Sequence, residues 1–130
     1  MRDPAFDVLN PKCPTRQVLD RIASKWTMLV LLALAEEPQR YAALQRRVVG
    51  VTKKMLTQTL RALERDGLVQ RRVYHTVPVQ TEYELTAMGR SLAQAVSVIR
   101  GWAYDHMDGI AGARAADDSA ARGRRSIPAR

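Results

Sequence analysis

Residues 51–67 read VTKKMLTQTLRALERDG, Val51 to Gly67. The reading of this stretch decides the fold. Met55, Leu56, Leu60 and Leu63 recur at helical spacing and make an apolar stripe. Lys54, Thr57, Gln58, Arg61 and Arg65 make the opposite stripe, with Lys53 beside it. No acid interrupts that face, and Glu64 and Asp66 come only at its far end. A solvated helix face ordinarily mixes signs. Long cations with short hydrogen-bonding side chains between them suit a DNA major groove, where Arg and Lys meet phosphates and guanines and Gln reads adenine. Thr52 is placed to cap the helix start, because its hydroxyl accepts from an unpaired amide. Gly67 is placed to close the helix in a left-handed turn.

Working outward, the charge follows the same stretch. The 130 residues carry 21 Lys and Arg against 13 Asp and Glu, a net charge of +8. Arg40 to His75 holds nine of the bases and only two of the acids, so +7 of the +8 is concentrated there. A polyanionic partner accounts for that concentration better than general solubility does. The length suits one domain with a real core. The longest apolar run, Met28 to Ala35, is eight residues, too short to cross a bilayer. The N-terminal MRDPAFDV lacks a basic-then-apolar signal pattern, so no membrane association and a cytoplasmic location are expected. A single cysteine, Cys13, excludes an internal disulfide.

On the N-terminal side, residues 1–12 read as an irregular arm with an Asn10-Pro11 turn signal. Pro14 to Ala23 is expected to be a short helix burying Val18, Leu19 and Ile22, with Pro14 in its first turn. Lys25 to Glu37 is expected to be the most buried helix, since MLVLLALA is apolar on every side and Pro38 stops it. Tyr41 to Val48 reads as a third helix with Tyr41, Leu44 and Val48 inward. Two short helices joined by Val49-Gly50-Val51, the second cationic, make a helix-turn-helix. On the C-terminal side, Leu68 to Tyr74 and Val79 to Leu85 alternate as strands and pair through the loop His75 to Pro78. A hairpin after a helix-turn-helix is a wing. Thr86 is placed to cap a last helix to about Met107, roughly 30 Å long. Leu92, Val96, Ile99 and Ala103 stripe that helix, with Trp102 and His106 beside them. It exceeds what one small core needs, so its surplus face is expected against a second copy of the chain. From Gly109 the chain loses periodicity, and residues 109–130 are expected to be a disordered basic tail. The expected fold class is thus mainly α with a small β-hairpin. It is a winged helix-turn-helix over residues 13–108 with a long C-terminal dimerisation helix.

Three strings carry a more specific resemblance: CPTRQVLDRIASKWTMLVLLAL from Cys13, VTKKMLTQTLRALERDGLVQRRVY from Val51, and VPVQTEYELTAMGRSL from Val77. Together they resemble the HxlR family of bacterial winged helix-turn-helix transcription regulators, within the MarR-like superfamily, over about residues 13–107. The resemblance implies a homodimer on palindromic double-stranded operator DNA. Members repress or activate nearby genes, often for detoxification or for aldehyde and quinone stress. Two departures stand out. Family members usually carry a small polar or acidic residue where this chain has Tyr41-Ala42-Ala43, which removes a helix cap worth about 1 kcal/mol. They usually carry a Pro-Glu at the wing tip where this chain has His75-Thr76.

The expected DNA-binding residues are Lys53, Lys54, Thr57, Gln58, Arg61, Arg72 and His75. Thr57, Gln58 and Arg61 are the candidates for base edges, and Lys53 and Lys54 for phosphates. Arg71 and Arg72 point to opposite sides of a strand, so at most one faces DNA. The plain alternative is a solvated helix face. Cys13 lies between Lys12 and Arg16, cations that favour thiolate, and sits where some family members carry a sensing cysteine. It is a candidate redox or electrophile sensor, against the plain reading of an inert thiol. A small molecule or an oxidant is the expected effector. Cys13, His75 and His106 lie on three separated elements, so no metal site and no cofactor are expected. No nucleophile–base pair or Gly-rich phosphate loop suggests an enzyme. The rival reading is a winged-helix protein-interaction module without its own operator. A flat salt response would mark it.

Overall fold

A computed structural model describes residues 7–125. The elements run α1 (Pro14–Ile22), α2 (Lys25–Glu36), β1 (Gln39–Arg40), α3 (Tyr41–Arg47), α4 (Lys53–Arg65), β2 (Val69–Tyr74), β3 (Gln80–Leu85) and α5 (Ala87–Arg125). This is the mainly helical winged helix-turn-helix that the sequence predicts. The chain divides between Val96 and Ser97 into two compact units.

The first unit is built on α2. Val30, Leu31, Ala33 and Leu34 are buried there, as an all-round apolar helix must be, although Leu29 stays exposed. Around it close Leu44 of α3 and Val48 at its C-cap, Leu56, Leu60 and Leu63 of α4, Tyr83 and Leu85 of β3, and Ala93 and Val96 of α5. The apolar side of α4 differs in one place from its sequence stripe. Met55 is exposed, and Thr59 is buried instead, its hydroxyl satisfied by the Met55 carbonyl at 2.7 Å.

Both ends of α4 follow their expected chemistry. Thr52 Oγ1 accepts from the Met55 amide at 3.1 Å. Gly67 stands at φ 74, and the Leu68 amide reaches back to the Leu63 carbonyl at 2.9 Å. A left-handed residue just past a helix lets the chain close back on its last carbonyls, and glycine adopts it without steric cost. Thr86 anchors the other end of the wing, donating to the Gly67 carbonyl at 2.6 Å and accepting from the Gly89 amide at 3.1 Å. Gly89 permits that approach, since a Cβ there would lie 1.9 Å from the Leu68 carbonyl oxygen.

The sheet holds one strand more than the predicted hairpin. Its order is β1-β3-β2, with Gln39 opposite Tyr83 and Arg72 opposite Glu82, all antiparallel. A two-residue strand has no periodicity to read. Buried Gln39 steadies it by donating to the Ala33 carbonyl at 2.6 Å. The first helix departs from expectation in the other direction. Val18 and Leu19 are exposed and no residue of α1 is buried. Val18 and Ile22 border an open cavity with Leu63, Leu68, Met88 and Leu92 instead of closing onto them.

The second unit begins at Ser97 within α5. The sequence expects the helix to end near Met107 and a disordered tail from Gly109, but α5 continues to Arg125. Apolar periodicity reports burial, whereas helix formation also follows intrinsic propensity. Residues 109–125 include six alanines, the best helix former, which offset three glycines. Val98, Ile99, Trp102, Tyr104 and Met107 are exposed along this unit. The Trp102 ring stacks on His106 with centroids 4.5 Å apart, and His106 Nδ1 lies 2.8 Å from the Trp102 carbonyl. The first residues of the arm and the last of the tail lie outside the described residues.

Candidate nucleic-acid interface

The helix-turn-helix places α4 with Leu56, Leu60 and Leu63 inward, which leaves Lys53, Lys54, Gln58, Arg61 and Arg65 exposed. Lys53 and Lys54 open the helix, and no acid lies in its first turn. The amides there already carry the positive end of the helix dipole, so two cations at this end cost stability and raise the local positive potential. Such an end favours phosphate. Arg65, in the last turn, faces the negative end, where a cation is stabilising without any ligand.

Ion pairing separates the nine bases of residues 40–75 into two groups. Arg47 pairs with Glu36 at 2.7 Å, Arg71 with Glu64 at 3.4 Å and Arg72 with Glu84 at 2.7 Å. Among the described residues, Arg40, Arg46, Lys53, Lys54, Arg61 and Arg65 have no carboxylate partner. The face on α4 thus keeps its charge available, while the strand arginines spend part of theirs inside the fold.

The wing explains that difference by register. On one side of the hairpin, Gln70, Arg72 and Tyr74 stand opposite Glu84, Glu82 and Gln80. Glu84 takes both Arg72 and Gln70, and Tyr74 reaches Glu82 at 3.4 Å. On the other side, Val69, Tyr83 and Leu85 are buried, and Arg71 reaches Glu64 at the end of α4. Arg71 and Arg72 do point to opposite sides, as the strand period requires. Burial pushes the Tyr83 hydroxyl above its ordinary range, with Glu64 adding to the rise and Arg71 opposing it. His75 is exposed at the wing tip beside Thr76, Val77 and Pro78.

Thr57 differs from its neighbours on the cationic face. It is half-buried, and its Oγ1 lies 2.9 Å from the Tyr41 hydroxyl. That hydroxyl also donates to the Lys53 carbonyl at 3.0 Å. Tyr41 therefore ties the start of α3 to the first turn of α4. The helix has need of such a tie, since Arg40 at its N-cap makes no side-chain cap bond. The residues missed by sequence reasoning are Tyr41 in this role and Arg40, an unpaired cation bordering a recess with Gln80 and Thr81 of the wing. Arg40 was legible as a charge. The tie spans 16 positions, and no periodicity signals it.

Cys13 is buried, 2% exposed, at the N-cap of α1. Turns over Asp7 to Lys12 hold it there, with the Cys13 amide on the Asn10 carbonyl at 3.0 Å. Arg16, a flanking cation in the sequence, has a guanidinium nitrogen 3.2 Å from the Leu9 carbonyl. Arg21 pairs with Asp66 at 3.2 Å beside a cavity of about 500 Å³, lined by Val18, Ile22, Leu63, Leu68, Met88 and Leu92 among others. Among the described residues no three His, Cys, Asp or Glu side chains cluster as metal ligands, and no helix is long and apolar enough to cross a membrane.

Comparison with known proteins gives one consistent picture. A family model described as HxlR-like helix-turn-helix matches residues 21–110. An uncharacterised helix-turn-helix-type transcriptional regulator of Escherichia coli, YtfH, is 42% identical over 91 residues, 70% of this chain and 72% of that protein. The structure of a transcriptional regulator YtfH from Salmonella typhimurium superposes with a TM-score of 0.79 at 35% identity, over 84% of this chain and 97% of that one. The redox regulator HypR in its reduced form superposes with a TM-score of 0.70 at 35% identity, over 76% of this chain and 98% of that one.

Proposed function

The chain belongs to the HxlR-like helix-turn-helix family of transcriptional regulators, and from that premise we propose that it binds palindromic operator DNA as a homodimer. In this reading Lys53 and Lys54 hold phosphates at the start of α4, while Thr57, Gln58 and Arg61 meet base edges in the major groove. Arg72 and His75 add lesser backbone contacts from the wing. One observation carries the reading. The cations of α4 are exposed and unpaired, whereas the arginines of the wing strands are paired with glutamates. A merely solvated face gives no reason for that division.

The homodimer rests on uncovered apolar surface. Val18 and Leu19 in the first unit, and Ile99 and Trp102 in the second, are all exposed. Large apolar side chains left exposed on each unit are what a partner surface covers. A two-fold dimer would set its recognition helices about 34 Å apart, one turn of DNA. Such a regulator works where the chromosome is, in the cytoplasm. The direct test is binding to the DNA flanking the chain's own gene, titrated with salt, with the mass of the free and bound protein measured. A steep fall of affinity with salt and a two-to-one complex are expected. A salt-independent response with no shift of any duplex would instead support the protein-interaction module.

The effector is read from the likeness to HypR, a redox regulator. We propose an oxidant acting at Cys13, giving a disulfide between the two copies or a mixed disulfide with a small thiol. Because Cys13 is buried, 2% exposed, the chain must open locally before the thiol can react. Oxidation should therefore be slow and accelerated by mild denaturant. Diamide treatment followed by an operator-binding assay, with Cys13→Ser alongside, decides it. Equal binding by both proteins before and after treatment would discard the sensor. A small-molecule effector would have the cavity beside Arg21 and Asp66.

A further inference from the structure

The Tyr41 tie restricts what Thr57 can say to a base. Tyr41 Oη lies 3.0 Å from the Lys53 carbonyl and 2.9 Å from Thr57 Oγ1. A carbonyl carries no proton, so the phenol must donate there. The phenol has one proton, so it has none left for Thr57. Both bonds form together only if Thr57 donates its own proton to Tyr41 Oη. The chain of donation therefore runs from Thr57 to Tyr41 to the Lys53 carbonyl.

A free threonine hydroxyl is ambiguous at a base edge, because rotation lets it donate or accept. Tied to Tyr41, Thr57 has no proton to offer. What remains is a methyl group and an oxygen that only accepts. The major-groove edge of guanine presents two acceptors, N7 and O6. Adenine N6 and cytosine N4 present donors, and thymine presents a methyl. Resting on the DNA-binding reading above, we propose that Tyr41 is a specificity-determining residue. By consuming the Thr57 proton it makes Thr57 reject guanine at one base position per half-site and accept an amino or methyl group there. Tyr41 acts through Thr57 and is a positioning residue; it need not touch DNA itself. Gln58 and Arg61, which have no such tie, keep their full hydrogen-bonding repertoire.

The test uses the full chain and a duplex selected by it from a randomised library, with every base pair of that duplex then replaced in turn by the other three. Wild type is expected to show one position per half-site at which guanine is penalised about tenfold, the scale of one base contact. Tyr41→Phe frees the Thr57 proton and should cut that penalty to about twofold, with the other positions unchanged. Thr57→Val keeps the shape without the hydroxyl, and the double variant Tyr41→Phe with Thr57→Val should restore discrimination against guanine. A uniform loss of affinity across all duplexes in Tyr41→Phe, tracking a lower melting temperature, overturns the proposal in favour of a purely structural tie. So does an unchanged base profile. If wild type selects no sequence at all, the DNA-binding reading falls with it, so the two failures are distinguishable.

Discussion

The recognition helix α4 and the hairpin β2–β3 carry similar cations within a few residues of one another, yet the fold treats them in opposite ways. Lys53, Lys54, Arg61 and Arg65 stand without carboxylate partners, while Arg71 and Arg72 are paired with Glu64 and Glu84. Counted along the chain, the six are equivalent. The difference arises from where acids fall in space. On α4 the acids stand at the C-terminal end, Glu64 turned to Arg71 and Asp66 to Arg21. On the hairpin every residue of β3 stands opposite one of β2 and alternate residues share a side, so Glu82 and Glu84 fall on the same side as Arg72. Net charge thus locates a binding region only coarsely. Pairing decides which of its cations are available.

That comparison is open to attack from both sides, and the largest effect is expected on α4. Replacing Lys53 and Lys54 together by Ala should weaken binding to any duplex by roughly tenfold or more near physiological salt. It should also lower the slope of log affinity against log salt by about 2. Fluorescence anisotropy over a salt series measures both, and an unaltered slope would remove these lysines from the phosphate backbone. Next in size, Arg61→Ala should cost about 1–3 kcal/mol of preference for the selected sequence over random DNA. Gel shifts with unchanged affinity and preference would return Arg61 to solvent.

The hairpin should respond more weakly. Arg72→Ala is expected to change affinity by no more than about threefold, since its charge is shared with Glu84 and surface ion pairs are worth roughly 0–1 kcal/mol. Glu84→Gln sharpens the point, because it frees Arg72 and should strengthen DNA binding by a few-fold. If Arg72→Ala proves as damaging as Arg61→Ala, the contrast between the two regions is wrong.

The smallest effect concerns stability alone. The Tyr83 hydroxyl is raised by burial and by Glu64, so the folded chain holds that proton more tightly than the unfolded chain does. Its contribution is fully present below the unfolded value of about 10 and is lost as pH rises through the higher folded value. Melting temperatures measured upward from pH 9 should therefore fall more steeply for wild type than for Tyr83→Phe. Parallel curves would show that folding does not raise the Tyr83 hydroxyl.

Much of this molecule was legible along the chain because its signals are local. The apolar spacing of Leu56, Leu60 and Leu63, the Thr52 cap and the Gly67 turn all act within one helix and its flanks. The backbone repeat alone decides which side chains share a face. The alternation of β3 likewise places Tyr83 and Leu85 inward. The C-terminal segment was not legible in this way, because its apolar stripe stops near Gly109 while the helix runs on to Arg125. Spacing likewise predicts cover over Val18 and Leu19, which only packing can supply.

What the sequence determined by itself, then, is the helix-turn-helix with its wing and the sidedness of α4, since both follow from periods of a few residues. Tertiary structure alone decided three things: that Arg71 and Arg72 are paired with Glu64 and Glu84, that Cys13 is buried, and that the hydroxyls of Thr57 and Tyr41 meet. Each depends on the angle and distance between elements that meet through the core, up to 16 positions apart in the case of Tyr41 and Thr57. A hydrogen bond or ion pair forms only within a few tenths of an ångström and a narrow range of angles. No pattern of residue types carries that geometry until the core has placed the elements.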